Sequence, residues 1–148
     1  MNTKTRQLII FIGGFFLFCL DRYIKFLSRL VFTSNHLFKN ILGWHPFINH
    51  GVAFSLPLPN TLTIIFTVPI LLIIILVLYY FYKHQTNIHF FIGLTLIFWG
   101  AFSNLLDRFT YQATIDYFLI GTGVINLADI LIVTGFIFYL LPNKFFKT

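Results

Sequence analysis

The sequence predicts an all-α membrane protein, with four transmembrane helices and a small extracytoplasmic β-cradle or amphipathic cap between the first two. Two observations carry that expectation. Of 148 residues, 58% are hydrophobic and only 9% charged, where soluble domains carry about a quarter. The apolar residues also fall into four segments, near 8–28, 61–82, 88–107 and 124–141, each close to the roughly 20 residues that cross ~30 Å of hydrocarbon. Backbone groups in lipid have to be satisfied within their own segment, so these segments are expected to be helices. Residues 1–148 read as one integral membrane domain, with the cap over about 29–60.

The first segment follows Lys4 and Arg6 and imitates a secretory signal, but no small-x-small cleavage pattern follows it. Its Cys19, the single cysteine, excludes an intrachain disulfide and reads as a small buried hydrophobe. The second segment runs from Leu62 to Tyr82 without a charge, and Pro69 marks an expected kink. The polar turn at Lys83-His84-Gln85-Thr86-Asn87 is too short for anything but an antiparallel pair with the third segment, and Pro142 is expected to end the fourth.

The cap mixes Trp44-His45-Pro46, Asn49-His50-Gly51, Pro57 and Pro59 with Phe38, Ile41, Leu42, Phe47, Ile48 and Phe54, a composition too apolar for a linker. Part extended and part helical structure lying in the interface accounts for it. Residues 109–123, with Asp116 and Gly121-Thr122-Gly123, read as a second loop on the same side.

Charge asymmetry gives five basic residues to each face: Lys4, Arg6, Lys83, Lys144 and Lys147 against Arg22, Lys25, Arg29, Lys39 and Arg108. If Asp21 and Asp107 hold Arg22, Lys25 and Arg108, the remaining free cations put the termini in the cytoplasm. The net charge of +6 arises from a scarcity of acids, and no basic run or stacking platform argues for nucleic acid.

That scarcity is the strongest functional clue. The chain has no Glu and four Asp, and two of these occur in one repeated phrase, Asn104-Leu105-Leu106-Asp107 and Asn126-Leu127-Ala128-Asp129. An Asp amid Leu and Ile near the bilayer is costly to keep. On a helix the Asn-x-x-Asp spacing aims an amide and a carboxyl at a common point. Two such carboxyls at one depth can share a proton, the arrangement with which an aspartic protease activates water and polarises a carbonyl. The plainer reading has Asp107 pairing with Arg108 or Lys25 while Asp129 caps the fourth helix. Asp21 and Lys25, at i and i+4, form an expected helix ion pair. His36, His45 and His50 lack metal-ligand spacing. A proton- or ion-conducting subunit would spread its acids across the bilayer, whereas these gather at one interface. A non-catalytic lipid-binding or assembly protein would tolerate the loss of either Asp.

Four blocks in order, Asp21-x-x-x-Lys25, Asn49-x-Gly51-x-Ala53-Phe54-Ser55, Gly100-Ala101-x-x-Asn104-x-x-Asp107-Arg108 and Asn126-x-Ala128-Asp129, resemble lipoprotein signal peptidase, also called signal peptidase II, over nearly the whole chain. The resemblance implies a four-helix aspartyl peptidase of the bacterial inner membrane with cytoplasmic termini. Such an enzyme cleaves diacylglyceryl-modified prolipoproteins just before the lipidated cysteine, uses no metal or other cofactor, and is inhibited by globomycin. It also implies Asp107 and Asp129 as the catalytic pair, with Asn49, Gly51, Asn104, Arg108, Asn126, Ala128, Asp21 and Lys25 binding substrate or supporting the pair. Two departures stand out: Trp99 and Ser103 occupy positions where the family usually has Gly, and Ile125 replaces its usual Phe.

Overall fold

The computed structural model describes residues 1–30, 35–37, 41–51, 58–85 and 87–140. Ala53, Phe54, Ser55, Lys39 and Pro142 lie outside the described residues. The chain runs α1 (Thr3–Leu30), β1 (Asn35–Leu37), β2 (Leu42–Asn49), α2 (Asn60–His84), α3 (Ile88–Tyr111), β3 (Thr114–Ile120), β4 (Gly123–Ile125) and α4 (Leu127–Leu140). Helices α1, α2 and α3 are long and apolar enough to cross a membrane. Of the expected fourth span, the described residues hold 14 in α4, or about 21 Å. Its expected first residues, Val124 and Ile125, belong instead to strand β4, which joins the sheet directly to the start of α4.

Helix ends follow local chemistry. Pro59, which cannot continue a ladder backward, precedes α2, and Gln85 closes that helix in the left-handed region with its N–H on Phe81 O. Asn87 then caps α3, its side chain accepting from His89 N at 2.9 Å. This short exchange gives the antiparallel α2–α3 pair expected from the turn. Helix α3 runs past the expected residue 107 to Tyr111, and Gln112, at φ 58°, donates to Arg108 O to end it.

The four helices meet on α3. Its faces pack against α1, α2 and α4, and it supplies Phe91, Leu94, Ile97, Phe98 and Leu105 to a core completed by Leu71, Ile74 and Leu78 of α2. Large apolar side chains on the outer faces, such as Phe16, Phe66 and Leu76, remain exposed and form the lipid-facing surface. Small residues set the α3–α4 approach: a Cβ on Gly93 would lie 2.8 Å from Gly135 O, and one on Gly100 2.5 Å from Ala128 O. Trp99 points the other way, onto Gly14 of α1, and its Nε1 donates to Phe11 O at 3.1 Å. Gly14, with no side chain, leaves the room on α1 that the Trp99 ring fills. Gly100→Ala is expected to cost about 1–3 kcal/mol of stability by overpacking and to shift the first turn of α4. A lowered melting temperature in detergent, with lowered activity, checks it.

The described part of the cap is strand rather than the expected mixture of strand and helix, and the segment 109–123, expected as a loop, supplies the end of α3, all of β3 and the start of β4. The order is β1-β2-β3-β4, all antiparallel, with Asn49 opposite Thr114 and Phe47 opposite Asp116. The β2–β3 register breaks between Trp44 and Phe47, where Pro46 has no N–H to give to a ladder. Gly121, at φ 62°, makes the tight β3–β4 turn that delivers the chain to α4.

Candidate active site

Strand alternation sorts the residues of β3. Thr114, Asp116 and Ile120 face a cavity of about 610 Å³ between α2, α3 and α4. Tyr117 points to the opposite side, where its hydroxyl donates to Asp21 Oδ1 at 2.9 Å and accepts from Leu127 N at 2.9 Å. Burial pushes the Tyr117 hydroxyl's pKa up, and the charge of Asp21 adds to the effect, so the group stays a neutral donor.

The start of α4 is closed by a reciprocal cap. Asn126 Oδ1 accepts from Asp129 N at 2.8 Å, and Asp129 Oδ2 accepts from Asn126 N at 3.2 Å, a capping box with Asp in the role usually played by Glu. Ala128 N donates to Asp21 Oδ1 at 3.2 Å. The second Asn-x-x-Asp phrase is thus a helix cap, and its carboxyl also lines the cavity. Asp129 Oδ1 accepts from Asn104 Nδ2 at 2.8 Å.

Asp116 is the acid that shares this cavity with Asp129. Its Oδ2 accepts from Asn49 Nδ2 at 2.9 Å and its Oδ1 from Asn126 Nδ2 at 2.6 Å. Burial, together with the charge of Asp129, raises its pKa to about 6 against the opposing pull of those two amides and of Lys25. Asn126 also donates to Asn104 Oδ1 at 3.2 Å, so one amide network touches both carboxyls.

Asp107 sits elsewhere. It is fully buried, accepts from Lys25 Nζ at 2.7 Å and from Ile115 N at 3.3 Å, pairs with Arg22, and is not among the residues lining the cavity. Asp107 thus stands apart from the cavity that Asp116 and Asp129 line. Two cations, Lys25 and Arg22, face its carboxylate and balance its charge. Of the plainer alternatives, the Lys25 partner is the one observed. Lys25 also meets Asp21 Oδ2 at 3.0 Å and Asn104 Oδ1 at 2.8 Å, while Ser103 donates to Asp21 Oδ2 at 2.6 Å. Ser103 is thus a buried polar link between α1 and α3.

Arg108 lines the cavity and also staples it: Nη2 donates to Gly51 O at 2.7 Å, and the Arg108 carbonyl accepts from Asn60 Nδ2 at 3.2 Å. Gly51 N donates to Asn49 Oδ1 at 2.9 Å, which turns the chain so that the Asn49 amide reaches Asp116.

A family described as Signal peptidase (SPase) II matches residues 14–145. The chain belongs to that family. Signal peptidase II enzymes are membrane proteases that cleave signal peptides from prolipoproteins. Among relatives, the lipoprotein signal peptidase of Helicobacter pylori (strain HPAG1) is 32% identical, over 99% of this chain and 94% of that one. That of Allorhizobium ampelinum is 35% identical over 86% and 82%. A solved bacterial membrane enzyme, determined by the in meso method at 2.3 Å, matches with a TM-score of 0.74 at 22% identity over 96% of this chain and 91% of that one, which shows a common fold. Around the cavity of this signal peptidase II, two carboxyls share one apolar cleft near the sheet end of the helices, each with both oxygens accepting from amides.

The sequence reading named none of Asp116, Ser103 and Tyr117 among the site residues, and it took Arg22 only as a cation held by Asp21 or Asp107. Asp116 carried a usable signal, since an acid in the alternating run Thr114-Ile115-Asp116-Tyr117, in a chain with so few acids, is as unusual as the repeated phrase.

Proposed function

We propose that this signal peptidase II is an aspartic endopeptidase whose shared-proton pair is Asp116 and Asp129. The observation that carries the reading is that these two acids line one cavity and are joined through Asn126 and Asn104. Asp116, with its raised pKa, holds the proton and donates to the scissile carbonyl oxygen. Asp129, at the amide-rich start of α4, takes a proton from water as that water's oxygen bonds to the carbonyl carbon. Collapse of the tetrahedral intermediate breaks the C–N bond, and the departing nitrogen takes a proton from the pair. The substrate is a diacylglyceryl-modified prolipoprotein cut before its lipidated cysteine. Its lipid anchor, held in the membrane, fixes the bond at the depth of the pair and supplies much of the binding.

The enzyme sits in the bacterial inner membrane as one domain, with cytoplasmic termini and the sheet outside. Arg108 and Asn49 border the bound chain, and globomycin-type inhibitors occupy the same cleft. The test is cleavage of a lipidated precursor by Asp116→Asn and Asp129→Asn variants.

The pH profile offers a second check. Loss of the shared proton inactivates the free enzyme, so kcat/KM is expected to fall as pH rises through about 6. The sign for stability follows from linkage. An ordinary carboxyl near 3.8 is raised on folding to about 6, so folding favours the protonated form. This group's contribution to stability is whole below about pH 4 and is lost as pH rises through about 6. A kcat/KM profile flat from pH 5 to 8 would contradict the role given to Asp116.

A further inference from the structure

On the deep side of Asp129 the cavity wall includes Ala101, Ile132 and Val133, together with two threonines, Thr67 of α2 and Thr134 of α4. A helical threonine commonly turns its hydroxyl back onto the carbonyl one turn earlier, as Thr63 does to Pro59 O at 3.3 Å and Thr110 to Leu106 O at 2.8 Å. Thr67 and Thr134 do not, and neither hydroxyl has a hydrogen-bond partner among the described residues. Thr134 follows Asp129 by five residues. Thr67 follows Asn60, which is bonded to the end of α3, by seven. At about 1.5 Å per residue, Thr134 lies about 7.5 Å deeper than Asp129; Thr67 lies about 10.5 Å below Asn60, which sits at Arg108, about 6 Å above the Asn104 that holds Asp129, and so about 4.5 Å deeper.

A signal peptide arrives as a helix, but a protease active site takes an extended chain. Where helix gives way to extended chain, the last carbonyls lose their intrahelical donors. In an apolar cleft each such group is costly to leave unpaired. An extended chain covers about 3.3 Å per residue, so the unwinding point falls about two residues before the scissile bond at this depth. We infer that Thr67 and Thr134 are specificity-determining residues that donate to the carbonyls freed where the signal helix unwinds. They thereby select substrates that can unwind about two residues before the cut. The inference rests on the Asp116–Asp129 reading for the position of the scissile bond.

The test pairs enzyme variants with a synthetic lipidated precursor peptide and its analogue carrying an ester in place of one amide at this point, which weakens that carbonyl as an acceptor. Thr67→Val and Thr134→Val are each expected to lower kcat/KM about fivefold, as loss of one hydrogen bond does. Thr67→Ser and Thr134→Ser are expected to restore most of it. The ester should penalise the parent enzyme and penalise the matching Val variant little further. Melting temperatures are read alongside, and if a Val variant is less stable, the ester comparison on its folded fraction decides. A double Val variant with parental kcat/KM, or an ester penalty equal in parent and variant, overturns the inference. Failure of the carboxyl-pair reading shows separately, as retained activity in Asp116→Asn.

Discussion

Asp116→Asn is expected to lower precursor cleavage by on the order of 10²–10⁴-fold, the range that a positioned proton donor or acceptor supplies, in a protein that still folds. Asn at this position cannot hand over a proton, but it keeps an acceptor for one of the amides of Asn49 and Asn126. Asp129→Asn is expected to show a loss of the same order. Asp107→Asn provides the contrast. It removes a buried partner of Lys25 and Arg22, so it should act through stability, and the folded fraction should retain turnover. Activity per folded molecule, with melting curves recorded on the same preparations, separates the two cases. Parental turnover by Asp116→Asn, or an inactive but stably folded Asp107→Asn, would show that the acids have been assigned to the wrong roles.

The second large effect is expected at Lys25, where replacement by Met should destabilise the fold by about 3–5 kcal/mol, the usual consequence of leaving buried charges without a partner. Lys25 is 1% exposed and its ammonium bridges two fully buried carboxylates, at 3.0 Å to Asp21 and 2.7 Å to Asp107. With Arg22 the cluster holds two acids against two bases. Removing one base leaves an acid uncompensated between α1, α3 and the start of α4. Asp21 is also the acceptor for Tyr117 and for the amide of Ala128, so the damage should spread to the α4 cap that carries Asp129. Lys25→Arg, which keeps the charge, is expected to lose less. Thermal or denaturant unfolding in detergent measures both, and a Met variant as stable as the parent would refute the account of the cluster.

Some parts of the fold were legible in the chain because their causes are local. Uninterrupted apolar runs marked the helices, the polar turn at Lys83–Asn87 imposed the α2–α3 hairpin, and Pro69 announced its place inside α2. The order of sequence blocks pointed to signal peptidase II. What was misread depends on distant partners. The segment 109–123 looks like a loop when taken alone, since β3 forms by pairing with β2 across more than 60 intervening residues, besides its local partner β4. Asp107 was expected in the catalytic pair from its repeated phrase and the family resemblance, with Lys25 or Arg108 as the plainer partner. Periodicity does not reveal that Lys25 and Arg22 approach it from α1.

The sequence by itself determined that the chain enters a membrane, where its helices run, and that its few acids matter, because burial in lipid penalises charge wherever it stands along the chain. Only the tertiary structure decided which acids face one cavity. Both Asn-x-x-Asp phrases present a carboxyl beside an amide. The packing of α1 against α3 surrounds Asp107 with cations, while the β2–β3 pairing carries Asp116 to the cavity that Asp129 faces. A carboxyl's role is set by the charges and donors within a few ångströms, and those arrive from elements far apart in the chain.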